Sequence, residues 1–172
     1  MIRVVVADDH AIVREGLKRI VSSLAGMMVL GEAADGAEVM ARVRELEFDV
    51  LLLDLSMPGR SGMELIRQVH AERPRLRILV LSMHQELQYA VRSIKAGASG
   101  YLTKESAPDQ LEQAIRKIAS GGAFVSAEVA QQLALGAMPG GQTLPHEGLS
   151  AREFEVFHLL VAGVSVTDAA AR

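Results

Sequence analysis

Short, continuous apolar runs recur along this chain, and four of the strand-like segments end on polar side chains. Residues 2–9 read I-R-V-V-V-A-D-D and end on Asp8 and Asp9. Residues 50–54 read V-L-L-L-D and end on Asp54, and residues 78–82 read I-L-V-L-S and end on Ser82. Residues 99–104, S-G-Y-L-T-K, end on Lys104. Strands buried on both faces read as such uninterrupted runs, and helical patterns lie between them, which together predict βαβ units and a parallel sheet. Open parallel sheets present their ligand-binding groups at the carboxyl ends of the strands. If the runs are neighbours, three carboxylates, a hydroxyl and an ammonium converge on one edge. Clustered carboxylates of this kind need a cation, and a hard, oxygen-preferring ion such as Mg2+ suits them.

The runs and periodicities predict strands near 2–7, 27–33, 49–54, 77–82 and 99–102. Helices are expected near 11–24, 37–46, 62–72, 86–96 and 108–120. Helix starts carry capping-box signals: Asp35 before Glu38, Ser61 before Glu64, Ser106 before Asp109 and Ser150 before Glu153. Pro108 suits a first helical turn, and Gly97 is placed as a helix stop. After Gly121-Gly122 a further short helix is expected near 126–135. The stretch G-A-M-P-G-G-Q-T-L-P-H-E-G is turn-rich and reads as a linker. Helical periodicity resumes at Ser150 with Phe154, Phe157, Leu160 and Val161 on one face, and a second helix starts near Ser165 or Thr167.

Composition narrows the options. At 172 residues the chain suits one domain with an appendage. Its net charge of −3 gives no overall basic footprint for nucleic acid. Cysteine is absent, which excludes disulfides, thiol catalysis and thiolate zinc sites. No apolar run approaches membrane-span length, and the first one meets two aspartates too soon for a signal peptide. A cytoplasmic protein without membrane contact is expected.

The motifs D-D-H at 8–10, D-L-S-M-P-G-R-S-G-M-E-L at 54–65, L-S-M-H at 81–84 and K-A-G-A-S-G-Y-L-T-K at 95–104 together resemble a two-component response regulator of the NarL/FixJ type. Such proteins join a receiver domain to a LuxR-type helix-turn-helix. The stretch L-S-A-R-E-F-E-V-F-H-L-L-V-A-G at 149–163 resembles the opening of the second module. The resemblance implies an α/β fold, a five-stranded doubly wound parallel sheet of flavodoxin-like order 2-1-3-4-5. A helical linker and a partial helix-turn-helix should follow. The expected domains are a receiver at 1–121, a linker with a short helix at 122–148, and the start of a helix-turn-helix at 149–172.

The same resemblance assigns roles. Asp54 is expected to be the phosphoacceptor, taking a phosphoryl group from a sensor histidine kinase. Asp8, Asp9, Asp54 and the backbone carbonyl of Ser56 are expected to hold Mg2+. Lys104 and Ser82 should meet phosphoryl oxygens, and Ser82 and Tyr101 should form the switch. The chain is not expected to be an enzyme beyond self-catalysed phosphorylation and dephosphorylation. Each residue also has a plainer reading. Asp54 could be a strand end facing water, Asp8 and Asp9 an N-cap pair, Lys104 a surface lysine and Tyr101 an exposed strand aromatic. His10 could touch the site. His70, His84, His146 and His158 have no ligand spacing. Glu105 follows Lys104 where many receivers carry a cis-linked proline, and a cis bond without proline is costly. Met83 could narrow access to the phosphoryl group or simply pack.

A LuxR-type module reads DNA with its third helix, and the sequence supplies only 150–161 and 165–172. Residues 145–172 carry Arg152 and Arg172 against Glu147, Glu153, Glu155 and Asp168, the wrong sign for a phosphate-binding face. DNA is therefore expected as a partner only of a complete parent protein, with no DNA-binding residues in this chain. A homodimer is expected, favoured by phosphorylation or by burial of the Phe154, Phe157, Leu160 and Val161 stripe. The alternative is a stand-alone receiver that acts by protein contacts. An aspartyl phosphatase is disfavoured because Leu55 and Ser56, rather than a D-x-D-x-T/V motif, follow Asp54.

Overall fold

The structure, a computed structural model, describes residues 1–58, 62–83, 87–105 and 107–136. The expected strands form one sheet. They are β1 (Ile2–Ala7), β2 (Met27–Ala33), β3 (Val50–Asp54), β4 (Arg77–Ser82) and β5 (Gly100–Thr103). All pairings are parallel, in the order β2-β1-β3-β4-β5. The helices are α1 (Ala11–Ser23), α2 (Gly36–Glu45), α3 (Gly62–Glu72), α4 (Leu87–Ala96), α5 (Ala107–Ala119) and α6 (Ala127–Gly136).

The apolar runs form strands because both faces are covered. All five residues of β3 are buried, as are Val4 to Ala7 of β1 and Ile78 to Ser82 of β4. Burying each large aliphatic side chain contributes roughly 1.5–3 kcal/mol before the entropy of ordering is counted. On one face of the sheet Val4, Val6, Leu52, Leu79 and Leu81 join Leu17 and Val21 of α1 and Leu111, Ile115 and Ile118 of α5. On those two helices the buried residues recur at three- and four-residue spacing.

Register turns this core into a site. Ala7 pairs with Leu53, Asp54 with Leu81, and Ser82 with Thr103. Asp8 therefore follows its strand beside Asp54, and Lys104 follows its own beside Ser82. The polar residues that end the runs lie along one edge of the sheet.

Caps and turns follow their local chemistry, with differences from expectation. Asp35 caps α2 by accepting from the Glu38 amide at 2.8 Å, while the Glu38 carboxylate accepts from the amide of Ala34 rather than of Asp35. The N-cap of α1 is His10, without a side-chain cap, so Asp8 and Asp9 are not its capping pair. Helix α2 begins at Gly36 and α5 at Ala107, each one residue earlier than expected. Strand β5 runs one residue later than expected, and α6 spans 127–136. Ser61, Ser106, Ser150 and the apolar stripe of 154–161 lie outside the described residues, as does the expected second helix.

Gly97 ends α4 with φ of +119°, and a Cβ there would sit 2.7 Å from Cγ of His70. Both the backbone angle and the contact oppose any other residue. Gly97→Ala is expected to lower stability by about 1–3 kcal/mol, read as a lower urea midpoint at unchanged slope.

One feature beyond the periodic elements shapes the sheet. Past Gly121, Phe124 forms a parallel bridge with Gly100: its amide donates to the Ser99 carbonyl and its carbonyl accepts from the Tyr101 amide. The Lys117 ammonium stands 5.8 Å from the Phe124 ring centroid. Strand β5 is the edge of the sheet, and this return of the chain pairs part of its open side.

Candidate phosphoacceptor site

Asp8 is wholly buried and its Oδ1 accepts from the His10 amide at 2.9 Å. Its carbonyl is held by Arg14, whose Nη1 donates at 2.7 Å while Nε donates to Glu32 at 3.0 Å. Hydrogen bonds from Lys18 and then Arg14 hold the Glu32 carboxyl below the usual range. This clamp fixes the turn between β1 and α1 and had no marker in the sequence beyond helical spacing.

Asp54 is 1 % exposed. Its Oδ1 accepts from the Ser56 amide at 3.1 Å. Lys104 Nζ lies 2.7 Å from Asp8 Oδ2 and 3.0 Å from Asp54 Oδ2, with the lysine side chain 13 % exposed. The contact to Asp8 is a hydrogen bond, whereas the contact to Asp54 is an ion pair that leaves the buried Oδ2 without a hydrogen bond. Burial pushes the Asp54 carboxyl above its ordinary range, against the Ser56 amide and Lys104, and the Asp8 charge adds to the rise. Burial disfavours the Lys104 ammonium, but Asp8 and Asp54 together outweigh it and raise its pKa.

Asp9 lies beside this pair, and its buried Oδ1 also has no hydrogen bond among the described residues. His10 Nδ1 stands 2.9 Å from Asp9 Oδ1 and 3.5 Å from Asp8 Oδ1. Ligand atoms of Asp8, Asp9, His10 and Asp54 fall within 4.8 Å of one another. Three carboxylates against one ammonium leave an excess of negative charge in a site with two buried oxygens lacking hydrogen bonds. That donor set fits a hard divalent cation.

Ser82 is wholly buried, and its carbonyl accepts from the Lys104 amide at 2.8 Å. Tyr101 is buried at 8 % exposure, paired in register with Val80, and so is not an exposed strand aromatic. Met83 is 64 % exposed. No cis peptide bond occurs among the described residues, the link to Glu105 included. Of the residues expected at the site, Asp8, Asp9, Asp54 and Lys104 converge directly. Ser82 is the last residue of β4 and shares a backbone bond with Lys104. His10, left as a marginal candidate, stands at the acidic pair.

Residues 4–116 match the response regulator receiver domain family. The chain belongs to that family. It is 36% identical over 169 residues to response regulator UvrY of Escherichia coli, covering 98% of this chain and 78% of the relative. It is 37% identical over 157 residues to response regulator GacA of Pseudomonas aeruginosa, covering 91% and 73%. Among solved structures it is similar to a LuxR-family two-component response regulator from Aurantimonas, with a TM-score of 0.71 and 41% identity, covering 77% of this chain and 94% of that one. It also resembles RcsB of Salmonella enterica serovar Typhimurium bound to a promoter with a phosphomimetic, with a TM-score of 0.73 and 28% identity, covering 99% and 82%. The response regulator is thus of the NarL/FixJ type, with the receiver fold expected. Response regulators of this kind are not enzymes in the ordinary sense. Among the described residues no helix is long and apolar enough to cross a membrane.

Proposed function

We propose that this response regulator accepts a phosphoryl group on Asp54 from a phosphohistidine of a sensor kinase. The observation that carries the reading is the buried Asp54 carboxylate, whose Oδ2 has no hydrogen bond and faces Lys104 Nζ at 3.0 Å. The carboxylate attacks phosphorus, a P–O bond forms, and the P–N bond to the donor imidazole breaks with its electron pair staying on nitrogen. Asp8, Asp9, Asp54 and the Ser56 carbonyl would hold Mg2+, which when bound offsets charge between the carboxylates and the incoming phosphoryl oxygens. Lys104 exchanges its contact with Asp54 for a phosphoryl oxygen. The Ser82 hydroxyl donates to another, drawing the end of β4 inward, and Tyr101 follows on β5. The phosphate thereby biases a two-state surface.

The receiver is proposed to span 1–121, with a linker at 122–148 and the start of a helix-turn-helix at 149–172. The proposed output is control of transcription through DNA, as the promoter complex of RcsB suggests by similarity. Phosphorylation is proposed to favour a homodimer, through α1 with α5 or through α4 with β5 and α5. Incubation with a phosphorylated histidine kinase should transfer the label to this chain as a hydroxylamine-labile acyl phosphate. A label stable to hydroxylamine, or none, rejects the reading. Sedimentation with and without beryllofluoride should show a shift in mass distribution.

Lysine offers no lone pair while charged, so Lys104 is not a metal ligand. Titration of Mg2+ into Lys104→Ala should show affinity equal to or above that of the unaltered protein. A large loss of affinity counts against this role.

A further inference from the structure

We infer that His10 is a nitrogen ligand of the cation site and sets its preference among divalent ions, an inference resting on the carboxylate site above. His10 Nδ1 and the buried Asp9 Oδ1 are 2.9 Å apart, yet that oxygen has no hydrogen bond. Two donor atoms therefore face each other closely without the alignment of a hydrogen bond. A shared cation resolves that contact. Donors about 2.1 Å from an octahedral ion stand about 3.0 Å apart when adjacent, close to the spacing seen. Asp8 Oδ1, at 3.5 Å from the same nitrogen, lies near a further adjacent position.

The backbone holds the imidazole there. The His10 amide donates to Asp8 Oδ1 at 2.9 Å, and the His10 carbonyl accepts from Arg14 at 2.9 Å in the first turn of α1. The imidazole itself is 65 % exposed, so it is reachable by an ion arriving from solvent and is not needed for the core. Oxygen donors alone suit Mg2+. An imidazole nitrogen adds affinity for later first-row ions, whose binding to nitrogen donors rises from Mn2+ through Co2+ and Ni2+. The site then responds to which divalent ions are available as well as to their concentration.

Co2+ is the probe, because its visible absorption reports a nitrogen donor, with Mg2+ as the oxygen-preferring reference. Both are titrated by calorimetry into the full chain, into His10→Ala and into Asp54→Asn. His10→Ala should weaken Co2+ binding by about tenfold or more while Mg2+ affinity changes less than about threefold. The Co2+ absorption attributed to His10 should vanish on excess Mg2+, which separates it from ions on other histidines. If His10→Ala leaves Co2+ affinity unchanged, weakens both ions alike, or tightens both, His10 is no selective ligand and the inference is overturned while the carboxylate site stands. If the unaltered chain binds neither ion, or Asp54→Asn changes binding of neither, the carboxylate site itself fails and the inference falls with it.

Discussion

Asp54→Asn should abolish phosphorylation, the largest functional effect expected of any single change. Treated with acetyl phosphate and Mg2+, the unaltered chain should gain one phosphoryl group by intact mass and the variant none. The reasoning is chemical. An amide is far less nucleophilic than a carboxylate, and no second carboxylate occupies its position: Asp8 is bound to Lys104 and the His10 amide, and Asp9 lies beside His10. Chelation of divalent ions should abolish the gain equally, because the approaching phosphoryl oxygens would otherwise meet uncompensated carboxylates. A phosphoryl group retained by Asp54→Asn, or gained undiminished in chelator, overturns the assignment of Asp54 and the need for Mg2+ respectively.

The second large effect is on stability, and its sign differs between the two ends of one ion pair. Lys104→Met leaves Asp8, wholly buried, without its cation. Breaking a buried pair from one side costs about 3–5 kcal/mol. For a domain of this size that is roughly a 10 °C fall in midpoint in metal-free buffer. Asp54→Asn should do the reverse. Burial raises the Asp54 pKa in the folded state, so the folded chain binds the proton more tightly than the unfolded chain does. Asp54 therefore lowers stability progressively as pH rises from its unfolded value of 3.8 through its folded value. Removing the charge should raise metal-free stability at neutral pH, and the gain should shrink toward acid pH. Added Mg2+ should narrow both differences, since ligands that bind only the folded state stabilise it. Thermal melts at pH 7 with and without Mg2+ read both signs at once. A neutral Lys104→Met, or an Asp54→Asn variant that melts lower than the parent in chelator, contradicts the electrostatics assigned to the site.

Much of the site was legible because parallel strands buried on both faces leave unbroken apolar runs, so the polar residue ending each run marks the sheet edge. Asp54, Ser82 and the Asp8-Asp9 pair were found that way. Lys104 needed the short run S-G-Y-L-T-K and the spacing of the resemblance, since a lysine alone has no such marker. Pair-by-pair register was not legible, because apolar runs of equal character can slide without changing their pattern. His10 was legible only as a residue that could touch the site, because a lone histidine has no ligand spacing in sequence; the turn after β1 places its ring at Asp9. The Arg14 clamp on the Asp8 carbonyl depends on a side chain folding back over six residues. The Phe124 bridge escaped notice because a single paired residue has no periodicity. Roles, unlike positions, came from the family: nothing in the burial of Tyr101 by itself says that it switches.

The Phe124 bridge carries a mechanical consequence. The backbone amide of Tyr101 is fastened to the carbonyl of Phe124, and three residues further along the same strand direction stands Lys104. A strand so tied has the site just past one end, at Lys104, and the Phe124 segment held at the other, at Gly100 and Tyr101. Displacement of β5 toward the phosphoryl group would tug the segment at 123–125 directly, without a signal first crossing a helix face. On the proposed switch, any shift of β5 is therefore carried into the 123–125 segment through the two backbone hydrogen bonds of the bridge.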